Sequence, residues 1–195
     1  VTFTPQKLDL SYVEGYTAKS EEVTINNETG TEIEIAEITL SGIFSGCANI
    51  KVGDKVAAGK SVSFQVNVAD GKAVGDYTGT LVIKDTNGSA YTLAASLHVE
   101  KVAYTIEVSP TSKDFGTLTT GYKAPEAQKF VVKNTGNSSV NLTNPTAKNF
   151  VVSGLSKTKL EKKDDSAEFT VQPKEGLAAG TYQEKITVAT DKNTS

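Results

Sequence analysis

The chain contains no arginine, no tryptophan and no methionine, and it has a single histidine and a single cysteine. Each absence removes a class of function. All twenty basic residues are lysines, so the planar guanidinium fork that grips phosphate and carboxylate bidentately is missing. With a net charge of −3 and no basic cluster, nucleic acid is not an expected partner. Lone Cys47 cannot close a disulfide within the chain, and the two half-cystines of an antibody-type sandwich have no counterparts. His98 has no second His or Cys near it in sequence, which leaves no pattern for a metal centre or a catalytic triad. No apolar run approaches the roughly 20 residues that a membrane-spanning helix needs. The chain opens on Val1, and with no Met it is expected to be a processed or excised part of a larger protein.

What the chain does contain is a repeat. Gly71-Lys72-Ala73-Val74-Gly75-Asp76-Tyr77 is echoed by Gly176-Leu177-Ala178-Ala179-Gly180-Thr181-Tyr182. A shift of 105 positions also superposes Ser61 on Ser166, Phe64 on Phe169 and Val66 on Val171, without a gap. A period this long is a whole domain rather than a solenoid unit. Two domains follow, residues 1–101 and 102–195, each large enough to bury its own core. The first carries 8 lysines against 13 acids and the second 12 against 10, charges scattered as on a solvated surface. No Gly/Ser or Pro-rich tether separates them, and Tyr104, unique to the second copy, is expected near the junction.

Within each copy the apolar residues alternate, and no helical period is present. Val1–Thr4 and Leu8–Tyr12 read as a first strand split by Pro5, which cannot donate to a ladder. Val23 and Ile25 mark the next strand. Ile33 and Ile35 are out of phase with Ile38 and Leu40, as a β-bulge or a switch between sheets would require. Val62, Phe64, Val66 and Val68 follow, then Tyr77, Leu81 and Ile83, then Leu93, Ala95, Leu97 and Val99. Asp85-Thr86-Asn87-Gly88-Ser89 joins the last two runs, and Asn-Gly between alternating segments signals a hairpin. The same five residues start like a calcium loop but lack its later ligands and terminal Glu. Short strands with turns every ten or so residues give an all-β fold: two tandem immunoglobulin-like antiparallel β-sandwiches. The second is expected to lack its last strand, because nothing in 102–195 answers Tyr91–Val99; Asp191-Lys192-Asn193-Thr194-Ser195 matches only the hairpin turn.

Gly-x-Tyr at Tyr77 and Tyr182 fits a tyrosine corner, the ring buried under a strand junction and the hydroxyl on nearby backbone. With Asp114-Phe115-Gly116, Gly121-Tyr122, Val131 through Asn137, Phe169 through Pro173 and Gly176 through Tyr182, the second copy resembles a bacterial immunoglobulin-like repeat of the Hydin/major-sperm-protein-like group. Such repeats occur in tandem in large surface proteins of Gram-positive gut bacteria. The first copy departs from the pattern, with Asn27-Glu28-Thr29-Gly30 at the Asn-Thr-Gly-Asn turn and no Asp-Phe-Gly. The resemblance implies a spacer or adhesive module of an exported protein, extracellular and attached to the cell surface or wall. Its partners would be other domains of the same protein and a protein or glycan ligand; it brings no catalytic, cofactor or metal residues.

A non-catalytic structural or adhesion module is therefore the leading expectation, and no enzyme is expected. The alternative is a carbohydrate-binding accessory pair of an extracellular glycoside hydrolase. That reading needs an exposed aromatic platform, for which Tyr12, Tyr91 and Tyr104 are the candidates. Asn27, Asn87, Asn137, Asn141 and Asn193 all begin glycosylation triplets, which turns rich in Asn, Ser and Thr also generate.

Overall fold

A computed structural model gives the structure of the chain, described here for residues 1–192. It divides into two compact units, Val1–Lys101 and Val102–Ser195. Among the described residues none is helical, and none forms a helix long and apolar enough to cross a membrane.

Unit 1 is a sandwich of nine strands: β1 (Thr2–Thr4), β2 (Lys7–Val13), β3 (Lys19–Asn26), β4 (Ile33–Ser41), β5 (Phe44–Ala48), β6 (Lys55–Val56), β7 (Ser61–Val68), β8 (Gly75–Asp85) and β9 (Ala90–Glu100). One sheet runs β1-β3-β7-β5 and the other β2-β9-β8-β4-β6. The core between them closes on Phe64, Val66, Ile25 and Val23 from the first sheet and on Leu81, Ile83, Leu93 and Leu97 from the second, none more than 1% exposed. The split first strand is real: after the cis Thr4–Pro5 bond the chain leaves the first sheet, as β1, for the second, as β2. The phase slip in β4 is a bulge between Ile35 and Glu37 against β8.

One pairing departs from the expected all-antiparallel arrangement. β2 lies parallel to β9, with Lys7 opposite Ala94 and Val13 opposite Glu100. The physical reason is the sheet switch itself: a strand that crosses over without reversing direction lies beside the last strand running the same way.

Unit 2 repeats half of this plan as a full sheet. β10 (Ile106–Ser109), β11 (Gln128–Asn134), β13 (Phe150–Val152) and β15 (Ser166–Pro173) assemble as β10-β11-β15-β13, the order β1-β3-β7-β5 over again. β12 (Val140–Asn141) pairs with β14 (Lys159–Leu160) as β4 pairs with β6. A second cis bond, Ser109–Pro110, ends β10. The register predicted from the repeat is met in the core, where Phe64 and Phe169 are 1% and 4% exposed and Val66 and Val171 are 0% and 4%. The counterparts of β2 and β8, near residues 112–118 and 180–188, form no strand, and among the described residues nothing stands in the place of β9. One bridge, Leu142 to Thr190, joins the counterpart of β8 to the chain that follows β12, as Asp85 pairs with Ile35 in unit 1. The matching hairpin turn falls on Asp191 and Lys192; its last three residues lie outside the described residues.

Two buried asparagines hold equivalent turns. Asn27, 1% exposed, donates through Nδ2 to the carbonyls of Thr31 and Val56 at 2.8 and 2.9 Å, and its Oδ1 accepts from the Thr29 amide and hydroxyl. Asn134, 0% exposed, donates to the Ser138 carbonyl and accepts from the Gly136 amide. A buried amide costs free energy unless it is satisfied, and both are. Asn27 is thus a structural pin, and its triplet is a turn.

Candidate functional site

The residues singled out in sequence are mostly absorbed by structure. Asp85 ends β8 with its side chain turned inward; Oδ1 accepts from the amides of Asn87 and Ser89, each at 2.9 Å, and Oδ2 from the Tyr91 hydroxyl at 2.7 Å. The Tyr91 hydroxyl first, and the two amides after it, hold this carboxyl below the usual carboxylate range against the opposing effect of desolvation. Its acceptors are thus spent on the hairpin, so the Asp-x-Asn-Gly pattern works as an Asx turn here and not as a calcium loop. Gly88 supplies the positive φ of that turn, at +85°.

His98 faces outward from β9, its Nδ1 2.6 Å from Asp76 Oδ1 on β8, and that bond raises its pKa. Cys47 is half-buried and burial pushes its thiol pKa up, away from the reactive thiolate. Among the described residues, no three His, Cys, Asp or Glu side chains come together as a metal group.

The tyrosine candidates do not converge. Tyr12 donates to Glu21 Oε1 at 2.7 Å and packs its ring 4.7 Å from that of Tyr16. Tyr91 sits at the opposite end of the same sheet, because the parallel register sets Tyr12 beside Val99, eight residues further along β9. That separation is about 26 Å at strand rise. Tyr104 packs at the edge of the unit 2 core under the Lys192 ammonium, 5.3 Å from its ring centre.

The tyrosine corners are present, with a difference. Tyr77 donates to the Ala73 carbonyl at 3.0 Å and Tyr182 to that of Ala178 at 2.8 Å. Their rings were expected to be equally buried, yet Tyr77 is half-buried and Tyr182 is 36% exposed. A second pair of tyrosine clamps went unread. Tyr16 reaches the Ala69 carbonyl at 2.7 Å, and Tyr122 reaches that of Lys174, each tying the Gly-Tyr turn to the loop before the corner. The Gly-Tyr repetition marks the turn, but the partner 53 residues away leaves no local signal.

The exposed ring of Tyr182 borders a hollow of unit 2. A cleft of about 730 Å³ opens in unit 2 between Ile106, Val108 and Phe115 on one side and Ile186 and Val188 on the other, floored by Phe130 and Phe169. A second hollow of about 390 Å³ continues it along Leu118, Leu177 and Tyr182, sharing Lys113, Phe115 and Phe150 with the first. Its walls have no regular secondary structure: among the described residues, the backbones of Gln183 through Val188 make no hydrogen bond. In Thr111 through Leu118 only the Gly116 amide does, to Asp114 Oδ1 at 2.7 Å. Glu184 anchors the second wall, its carboxylate accepting from the amides of Lys148 and Asn149 at 2.9 and 2.8 Å and from Asn149 Nδ2 at 2.6 Å. An apolar floor between two unpaired backbone edges can accept a strand, since both the edges and the floor gain by it.

No family model matches the chain, and no curated protein matches it. Among solved structures, a calcium-binding domain, CBD12 of CALX1.1, is 13% identical over 90% of this chain and 76% of its own, with a TM-score of 0.38. The C-terminal domain of the Streptococcus agalactiae AgI/II polypeptide BspA is 9% identical over 86% and 87%, with a TM-score of 0.32. A Bacteroides ovatus glucan-utilisation protein, SGBP-B in complex with a mixed-linkage heptasaccharide, is 11% identical over 95% of this chain and 40% of its own, with a TM-score of 0.27. Likenesses at this level do not bear on what the chain does.

Proposed function

We propose that the chain is a non-catalytic structural or adhesive module of an exported bacterial surface protein, two sandwich domains in tandem that carry or separate other domains. The observation that supports this reading best is where the polar chemistry goes. Asp85, Asn27 and Asn134 are the buried polar side chains among the described residues, and each is hydrogen-bonded within the turn it holds, Asn27 to the Val56 carbonyl as well. Groups spent on holding turns are unavailable to substrates. The resemblance of the second copy to tandem surface repeats agrees with an extracellular place. The accessory carbohydrate-binding reading has less support, because Tyr12 and Tyr91 lie at opposite ends of one sheet.

Antibodies raised against the chain should label intact, unpermeabilised cells of its source, and the purified chain should release no product from a panel of polysaccharides. Labelling that appears only after permeabilisation would overturn the surface assignment; a released sugar would overturn the non-catalytic one.

A further inference from the structure

The parallel pairing of β2 with β9 decides how unit 1 meets a pulling force. Residues 1–101 form one compact unit, which the chain enters through β1 and β2 and leaves through β9. β9 is a central strand. Lys7–Val13 of β2 lie parallel along Ala94–Glu100, and Gly75–Lys84 of β8 lie antiparallel along the other side. The Glu14 amide donates to the Glu100 carbonyl at 2.8 Å and carries the β2–β9 seam one bond further. Side chains cross both seams: the Ser96 hydroxyl to Asp9, the Ser11 hydroxyl to Glu100 at 3.2 Å, and His98 Nδ1 to Asp76 at 2.6 Å. On the inner face of β9, Leu93, Ala95, Leu97 and Val99 are 0–3% exposed.

Tension on the two ends of the unit acts in opposite directions along the β2–β9 seam. It draws β2 back from Lys7 and β9 forward from Glu100, so the strands part only by sliding lengthwise. In an antiparallel pair the same two pulls would act at one end and open the seam pair by pair. Sliding loads all the ladder bonds together, whereas opening from an end loads them singly, and the barrier that results sets the rate of forced unfolding. Sliding also drives the four apolar side chains of β9 out of their packed places at once. β1 resists less, with three pairs to β3. We propose that unit 1 is a load-bearing element whose mechanical clamp is the β2–β9 seam, keeping its fold while tension passes through the chain. This rests on the reading of the chain as a module that carries or separates other domains, and adds the force that such a module resists.

Single-molecule force spectroscopy on the 195-residue chain tests the clamp by changing only the direction of load. Both proteins carry Cys47→Ala, so that no native thiol takes up a handle. One is held ahead of Val1 and beyond Ser195, which shears the seam. The other is held at Val74→Cys and beyond Ser195. Val74 is 49% exposed and precedes the pair Gly75–Val99, so this load lifts β9 off β8 from one end without disturbing the core. Unit 2 is loaded between the same points in both proteins and is the internal reference. At about 3.4 Å per residue, unit 1 should lengthen the tether by roughly 300 Å in the first geometry and roughly 90 Å in the second, which identifies its event. Its rupture force should be roughly twofold or more higher in the first geometry. Equal forces, or a lower force in the first geometry, would overturn the clamp. The two readings fail separately: cells labelled only after permeabilisation would leave the force contrast standing, and equal forces would leave surface labelling standing.

Discussion

Leu81 and Ile83 in unit 1 and Ile186 and Val188 in unit 2 occupy the same places in the repeat, 105 positions apart, with the same alternation around them. The first two are fully buried; the second two are only half-buried. The first two belong to an eleven-residue strand paired on both sides, and the second two to chain that pairs on neither. Alternation decides which face a segment would bury, while a strand exists only once a neighbour takes its backbone groups. β9 is the neighbour of β2 and one of two neighbours of β8; the other, β4, is answered in unit 2 only by the two-residue β12, so neither counterpart has a partner for its backbone, while the other sheet is whole.

Hydrogen exchange would break this comparison most sharply. Amides of Leu81 and Ile83 should exchange only through unfolding of the whole unit, and those of Ile186 and Val188 through local opening that costs almost nothing. With domain stabilities of several kcal/mol, the rates should differ by roughly three orders of magnitude or more. Equal protection in dilute monomer would mean that the second wall is held by contacts of its own.

Truncation reads the same contrast in stability. Leu81→Ala removes a fully buried side chain from a closed core and should cost about 2–5 kcal/mol in urea unfolding. Ile186→Ala trims a wall already open to water and should cost about 1 kcal/mol or less. If the two losses are alike, the cleft is closed in solution.

The third contrast lies where β8 and its counterpart cross the chain beneath them. In unit 1 a Cβ on Gly79 would stand 2.8 Å from Ile43 Cγ1 and 2.9 Å from the Ser41 carbonyl oxygen, and one on Gly42 only 2.0 Å from the Thr78 carbonyl oxygen. Bare backbone lets the two chains touch. Unit 2 has Glu184 in Gly79's place and uses the carboxylate to bridge to Lys148 and Asn149. Gly79→Ala should therefore cost about 1–3 kcal/mol through overpacking, and Glu184→Gln about 1 kcal/mol through a weakened hydrogen bond. Thermal shifts of the single variants measure both.

Much of this was legible in the chain. The period of 105 and the strict alternation at Phe64, Val66 and their echoes identify two sandwiches and their inward faces, because burial on one side of a sheet enforces a period of two. The bulge in β4 shows as a phase slip, and Pro5 shows where the first strand breaks. The parallel union of β2 with β9 does not show, since its partners lie 87 residues apart and either direction would satisfy the same alternation. The buried carboxamide of Asn27 is invisible for a related reason. Asn-Glu-Thr-Gly reads as an exposed turn until Val56, distant in sequence, arrives to accept its second hydrogen. The cleft was legible only as a missing strand; its floor, its continuation beside Tyr182 and the lysines on its rim depend on how the two walls come together.

The smallest contrast concerns the tyrosine hydroxyls. Tyr16 joins two segments far apart in sequence through a part-buried bond to the Ala69 carbonyl, with its ring packed at a tilt against that of Tyr12. Tyr77 and Tyr182 bond only four residues back, to carbonyls at the surface, where water competes for the same acceptor. A hydrogen bond contributes most where its alternative is desolvation, so Tyr16→Phe should cost about 1 kcal/mol. Tyr77→Phe and Tyr182→Phe should each cost a few tenths of that, because the freed carbonyl is hydrated at once. Tyr182 is also the more exposed ring, so even Tyr182→Ala should fall below the roughly 3–5 kcal/mol of a buried aromatic truncated to Ala. Chemical denaturation of the four variants separates these cases. A loss at Tyr182→Phe equal to that at Tyr16→Phe would show that the corner of unit 2 is as dry as the clamp of unit 1, and that the ring is covered in solution.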